Sequence, residues 1–105
     1  MANMFWDCHS LISLDLSSFN TSKVEIMGHM FTNCESLLEL DLSNFDTSST
    51  IYMDNMFNGC NNLTSINISS FDTPIVNRMA NIFKDCISLI SLDIPNFETT
   101  SITDY

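Results

Sequence analysis

Apolar positions recur along this chain every 26 residues. Phe5, Phe31, Phe57 and Phe83 keep step with Cys8, Cys34, Cys60 and Cys86. Leu11, Leu37, Leu63 and Leu89 follow them, then Leu14, Leu40, Ile66 and Leu92, then Leu16, Leu42, Ile68 and Ile94. Phe19, Phe45, Phe71 and Phe97 close each copy, with Thr21, Thr47, Thr73 and Thr99 just after. A fixed period in this length range marks stacked structural units, each too small to bury its own apolar face. A lone copy is therefore not expected to fold.

Within one copy the pattern changes period. Val24, Met27, Met30, Phe31 and Cys34 fall within an arc of about 120° on a helical wheel, which predicts a short amphipathic helix. Thr21 is placed as its N-cap, and acids in the column Asn20, Asp46, Asp72, Glu98 suit the positive end of the helix dipole. Pro74 occupies the first helical position of its copy, and Gly59 and Asp85, in the column of Asn33, serve as stops. Then Leu40 and Leu42 alternate with Glu39 and Asp41, the period of a strand. One strand and one helix per copy imply parallel strands side by side, with helices on the opposite face.

These residues carry a family likeness. Leu37, Leu40, Leu42 and Phe45, as L-x-x-L-x-L-x-x-F, are similar to the core of a leucine-rich repeat, with Phe where Asn or Cys is usual. The longer string M-x-x-M-F-x-x-C-x-S-L-x-x-L-D-L-S-x-F-D-T-S, complete from Met27 to Ser48, resembles the BspA-like leucine-rich-repeat surface proteins of bacteria. Related copies occur in mycoplasma lipoproteins and some parasitic protists. The likeness spans the whole chain, with mild departures at Asn62, Asn67, Ile82 and Pro95. It implies an α/β repeat: a leucine-rich-repeat solenoid of four coils of 26 residues, with a parallel β-sheet on one face and short helices on the other. It also implies a cell-surface or secreted protein that engages host, matrix or neighbouring-cell proteins, and it implies no catalytic residues or cofactor.

Four copies of 26 account for all but one of the 105 residues, so residues 1–105 read as one array. Met1 falls in a repeat column with Met27, Met53 and Met79, which reads against a signal peptide. Atypical capping copies are missing, which suggests an excerpt of a longer chain and end-to-end association of the uncapped fragment.

Composition narrows the partner. Thirteen acids against three bases, a net charge of -10, speak against nucleic acid and against an anionic membrane surface. No run of about 18 apolar residues is present to cross a membrane. With 45% hydrophobic residues the chain is not a disordered acidic tail.

Candidate chemistry sits on the outward strand positions. The columns Ser13, Glu39, Ser65, Ser91 and Asp15, Asp41, Asn67, Asp93 form the candidate binding face. They read as a shallow acidic surface for a basic partner, as a weak cation site, or as a solvated face that keeps the strands soluble. Ile12, Leu38, Thr64 and Ile90 either flank the core or form a greasy stripe at the edge of that face. Trp6 replaces the polar residues of its column, and either covers an open end or is tolerated variation. The cysteines read as a buried apolar column, with pairing of neighbours such as Cys8 with Cys34, or zinc binding, as alternatives. His9 and His29 occupy different columns, and two glycines, Gly28 and Gly59, cannot build a phosphate loop, so no enzyme is expected. The function expected is protein–protein binding at a cell surface, such as adhesion. The alternatives are a structural spacer holding another domain and an intracellular scaffold.

Overall fold

The computed structural model describes residues 1–72, 75–76 and 78–92. Three short strands lie in chain order in one parallel sheet: β1 (Glu39–Asp41), β2 (Ser65–Asn67) and β3 (Ser91–Leu92). Their register pairs Glu39 with Ser65 with Ser91, and Leu40 with Ile66 with Leu92, which is the 26-residue spacing of the columns. No strand forms over the corresponding first-copy residues 13–15. Just before them, the Leu38 amide donates to the Ile12 carbonyl at 3.2 Å.

The helical face is corrected: no helix forms among the described residues, and the leucine-rich-repeat solenoid of four strand-and-helix coils expected above is not what the chain builds. Its radius of gyration is 12.5 Å, close to the roughly 13 Å of a compact domain of this size. The reason lies in the backbone from Met27 to Cys34. The amides of Met27, His29, Phe31 and Asn33 donate to the carbonyls of Tyr52, Asp54, Met56 and Asn58 in the next copy, at 2.7–2.9 Å. In an α-helix those amides would bond four residues back within their own segment. The intervening amides of Met30, Thr32 and Cys34 bond three residues back, at 3.2–3.3 Å, and close a succession of tight turns.

Such a ribbon needs left-handed residues at intervals. His29 (φ 57°) and Asn33 (φ 61°) supply them in the second copy, Asn3 and Asp7 in the first, Asn81 and Asp85 in the fourth. The third copy uses Asn55 and Gly59, the latter at φ 80°. A left-handed residue cannot continue a right-handed helix, and Asn, Asp and Gly are the residues that tolerate this conformation most readily. Gly59 and Asp85 are therefore turn residues inside the segment, not helix stops. Thr21 caps nothing. Its hydroxyl accepts the Asp46 amide at 2.9 Å and donates to the Asp46 carbonyl at 3.0 Å, and Thr47 holds Asp72 in the same way.

The apolar columns bury what the pattern predicts, by another route. Met27, Met30, Phe31, Cys34, Leu37 and Leu42 are fully buried, as are Met53, Met56, Phe57, Cys60, Leu63 and Ile68. Along the interior run stacked rings: Phe5 on Phe31, Phe31 on Phe57, and Phe57 on Phe83. Their centroids lie 5.5, 5.7 and 5.5 Å apart with planes within 9° of parallel, inside the range of favourable offset stacking.

Gly59 tests this backbone directly. A Cβ there would enter the left-handed region and press on the Asn33 side chain. Gly59→Ala is expected to lower stability by at least about 1–2 kcal/mol, read from the midpoint of urea unfolding. An unchanged midpoint would show that the turn does not need glycine.

Candidate functional site

The outward strand positions gather along a shallow groove of about 580 Å³. Ser13, Glu39, Asp41, Ser65 and Asn67 line it, with Leu14, Leu40, Ile66 and Ser69. Asp15 lies in a smaller adjoining depression of about 120 Å³, beside Ser17, Asp41, Ser43 and Asn44. Ser91 follows Ser65 in register on β3, and Asp93 lies outside the described residues. Alternation along β1 explains the placement: Glu39 and Asp41 are exposed, and Leu40 between them points into the core.

The aspartates of this face have a local task. Asp15 Oδ1 accepts the Ser17 amide at 3.0 Å, and Asp41 Oδ1 accepts the Ser43 amide at 2.9 Å. Asn67 Oδ1 accepts both the amide and the hydroxyl of Ser69, at 3.0 and 2.7 Å. Each is an Asx turn, which bends the chain out of the strand. The Ser43 hydroxyl, and after it the Ser43 amide, hold the Asp41 carboxyl below the ordinary aspartate value; Ser17 does the same to Asp15. Asp46 is held low by Ser48 in a second turn of the same kind. The D-x-S spacing was the sequence signal for these turns, and an outward-facing reading of the column passes over it.

Glu39 differs from its neighbours. It is exposed, and among the described residues its side chain has no hydrogen bond and no ion pair. The residue before it, Leu38, is 47% exposed. Ile12 and Ile90 in the same column are 59% and 87% exposed, and Thr64 is half-buried, so the apolar members of this column lie at the surface, one position before the groove-lining column, rather than in the core. Its backbone is continuous across the copies: Leu38 donates to Ile12, Thr64 to Leu38 at 2.9 Å, and Ile90 to Thr64 at 3.1 Å. Among the described residues no Lys or Arg lines the groove. Arg78 pairs with Asp54 at 2.9 Å, away from it.

The other candidates fall elsewhere. All four cysteines are free thiols. Cys34, Cys60 and Cys86 each donate to the carbonyl of a phenylalanine in the preceding copy, Phe5, Phe31 and Phe57, at 3.0–3.2 Å. Burial pushes the Cys34 thiol up to about 11 and that of Cys60 to about 12, so both are neutral at physiological pH. His9 meets Glu35 at 3.5 Å on the surface, while His29 bonds Thr32 and lies 5.5 Å from the half-exposed Trp6 ring. Among the described residues no three His, Cys, Asp or Glu side chains converge as metal ligands, and no helix is long and apolar enough to cross a membrane.

The family described as "Mycoplasma protein of unknown function, DUF285" matches residues 1–105. No curated protein and no solved structure matches the chain.

Two outcomes follow from these geometries. Asp41→Asn keeps the turn, since Asn67 already makes it, so urea unfolding at pH 7 is expected to be unchanged. The folded pKa of Asp41 is lowered, so its contribution is full above the ordinary aspartate range and is lost as pH falls through it. The substitution should therefore shrink the acid-induced loss of stability below about pH 4. An acid profile identical to the parent's would remove the Ser43 turn from the account. For the thiols, alkylation of native Cys60 at pH 8 should run roughly a thousandfold slower than that of an ordinary thiol, followed by mass spectrometry. Rapid labelling would contradict a buried, hydrogen-bonded Cys60.

Proposed function

We propose that this chain, which belongs to the DUF285 family of mycoplasma proteins of unknown function, is a protein-binding module that works through its strand face. One observation carries the reading: three exposed apolar side chains share one repeat position, Ile12, Leu38 and Ile90, and the first two immediately precede Ser13 and Glu39 in a groove lined by carboxylates and hydroxyls. Exposed apolar residues in a row, rimmed by polar ones, mark interaction surfaces more often than chance solvent contact. The three stand at one position in the first, second and fourth copies, with Thr64 at that position in the third, so they form a line and not a scatter.

Placement at a cell surface, with adhesion to host or matrix proteins, rests on the resemblance to BspA-like surface proteins. A spacer that holds another domain is the second reading, favoured by the turn-forming duty of Asp15 and Asp41. An intracellular scaffold is the third.

The test has two parts. Protease treatment of intact source cells should release peptides of this chain without lysis; release only after lysis would point to the scaffold. The purified chain should bind at least one member of a panel of host and matrix proteins. Leu38→Asp and Glu39→Lys, both at exposed positions, should each weaken that binding at least tenfold while the unfolding midpoint stays put. Binding that survives both substitutions would remove the strand face, and a panel without any binder would leave the spacer.

A further inference from the structure

The geometry points to a specific occupant of the groove: an extended peptide segment in which cationic and apolar residues alternate. This rests on the strand face being the binding surface. Three features define the segment. First, the charge of the face has one sign. Among the described residues the Glu39 side chain has no hydrogen bond or ion pair, and no Lys or Arg lines the groove. An occupant bearing carboxylates would be repelled, and one bearing Lys or Arg would be attracted.

Second, the apolar surface on offer lies to one side. The groove floor contributes little, because Leu40 and Ile66 are 3% and 5% exposed. The column Ile12–Leu38–Thr64–Ile90, apolar but for Thr64, lies one residue before the column Ser13–Glu39–Ser65–Ser91, so the two run in parallel across the strands. An extended chain laid along them turns successive side chains to opposite sides. One set then covers the apolar row, and the other reaches over the groove to Glu39.

Third, the length is bounded. Neighbouring strands are about 4.8 Å apart, so the row from Ile12 to Ile90 spans about 14 Å. An extended chain rises about 3.3 Å per residue, so four to six residues cover it. Ser13 and Ser65 supply hydroxyls that an extended backbone could bond as it crosses.

The order of residues, and not composition alone, is what this arrangement reads. The probe is a fluorescein-labelled Leu-Lys-Leu-Lys-Leu-Lys hexapeptide, titrated with the whole chain and followed by anisotropy. Two controls are its block isomer Leu-Leu-Leu-Lys-Lys-Lys and the acidic Leu-Glu-Leu-Glu-Leu-Glu. The alternating basic peptide should bind at least tenfold more tightly than either control. Its affinity should fall with added salt, and fall at least tenfold in Leu38→Ser, in Ile12→Ser and in Glu39→Lys. Ile26→Ser, exposed but not adjacent in sequence to any residue that lines the groove, should leave it unchanged. Equal binding of the block isomer would reduce the contact to bulk charge and overturn the proposal. So would insensitivity to the Leu38, Ile12 and Glu39 substitutions alike, or no binding at millimolar chain. Competition separates this proposal from the reading beneath it. If a panel protein depends on Leu38 and Glu39 but the hexapeptide does not displace it, the occupant is wrong and the face stands. If the panel protein ignores those residues, the face itself falls.

Discussion

Every second amide from Met27 to Asn33 bonds to the neighbouring copy instead of to its own segment, and the rest of the molecule depends on that choice. It is repeated from Asn3 to Asp7 and from Met53 to Gly59. A buried amide must find a carbonyl, and a copy 26 residues away offers one at every second position. The bonds set the distance between copies, and that distance sets the 5.5–5.7 Å stacking of the phenylalanines. The thiols of Cys34, Cys60 and Cys86 and the hydroxyls of Thr21 and Thr47 then satisfy polar groups between the same neighbours. Because each copy completes the bonding of the next, no copy is a unit by itself.

The same dependence shapes the strand face. The strands are two or three residues long, because an Asx turn at Asp41 or Asn67 ends each of the first two. A carboxylate that closes a turn is not free to choose a partner, which leaves Glu39 as the uncommitted charge of its row. Beside the exposed Ile12, Leu38 and Ile90, Leu37 fills the core and Leu11 and Leu89 pack against it. Structure thus divides one acidic surface into residues that hold the chain and residues open to a partner.

Much of this was legible from spacing alone. The core columns were, because a side chain that is buried in one copy meets its own counterpart in the next. So was the offset at which β1, β2 and β3 pair, because matching copies place matching residues side by side. The left-handed columns left a trace as well. Asn3, His29, Asn55 and Asn81, with Asp7, Asn33, Gly59 and Asp85 four residues on, repeat too regularly for a helix interior. Read as a column of stops, the second of these sets predicts a helix end; read together with the first, the two interrupt the helix twice within five residues.

The sequence by itself determined which residues face inward, how far apart the copies are, and that the surface is acidic. Hydropathy reports burial, and burial follows from the period. The tertiary structure decided the path of the backbone between those residues. Met27, Met30, Phe31 and Cys34 can be buried together by a helix or by a ribbon of turns, so their spacing cannot distinguish the two. What distinguishes them is where the amides bond, and that depends on a neighbouring chain segment at hydrogen-bonding distance. The exposure of Ile12, Leu38 and Ile90 was settled at the same level, since only the packed core shows that there is no room for a second apolar row beneath the sheet.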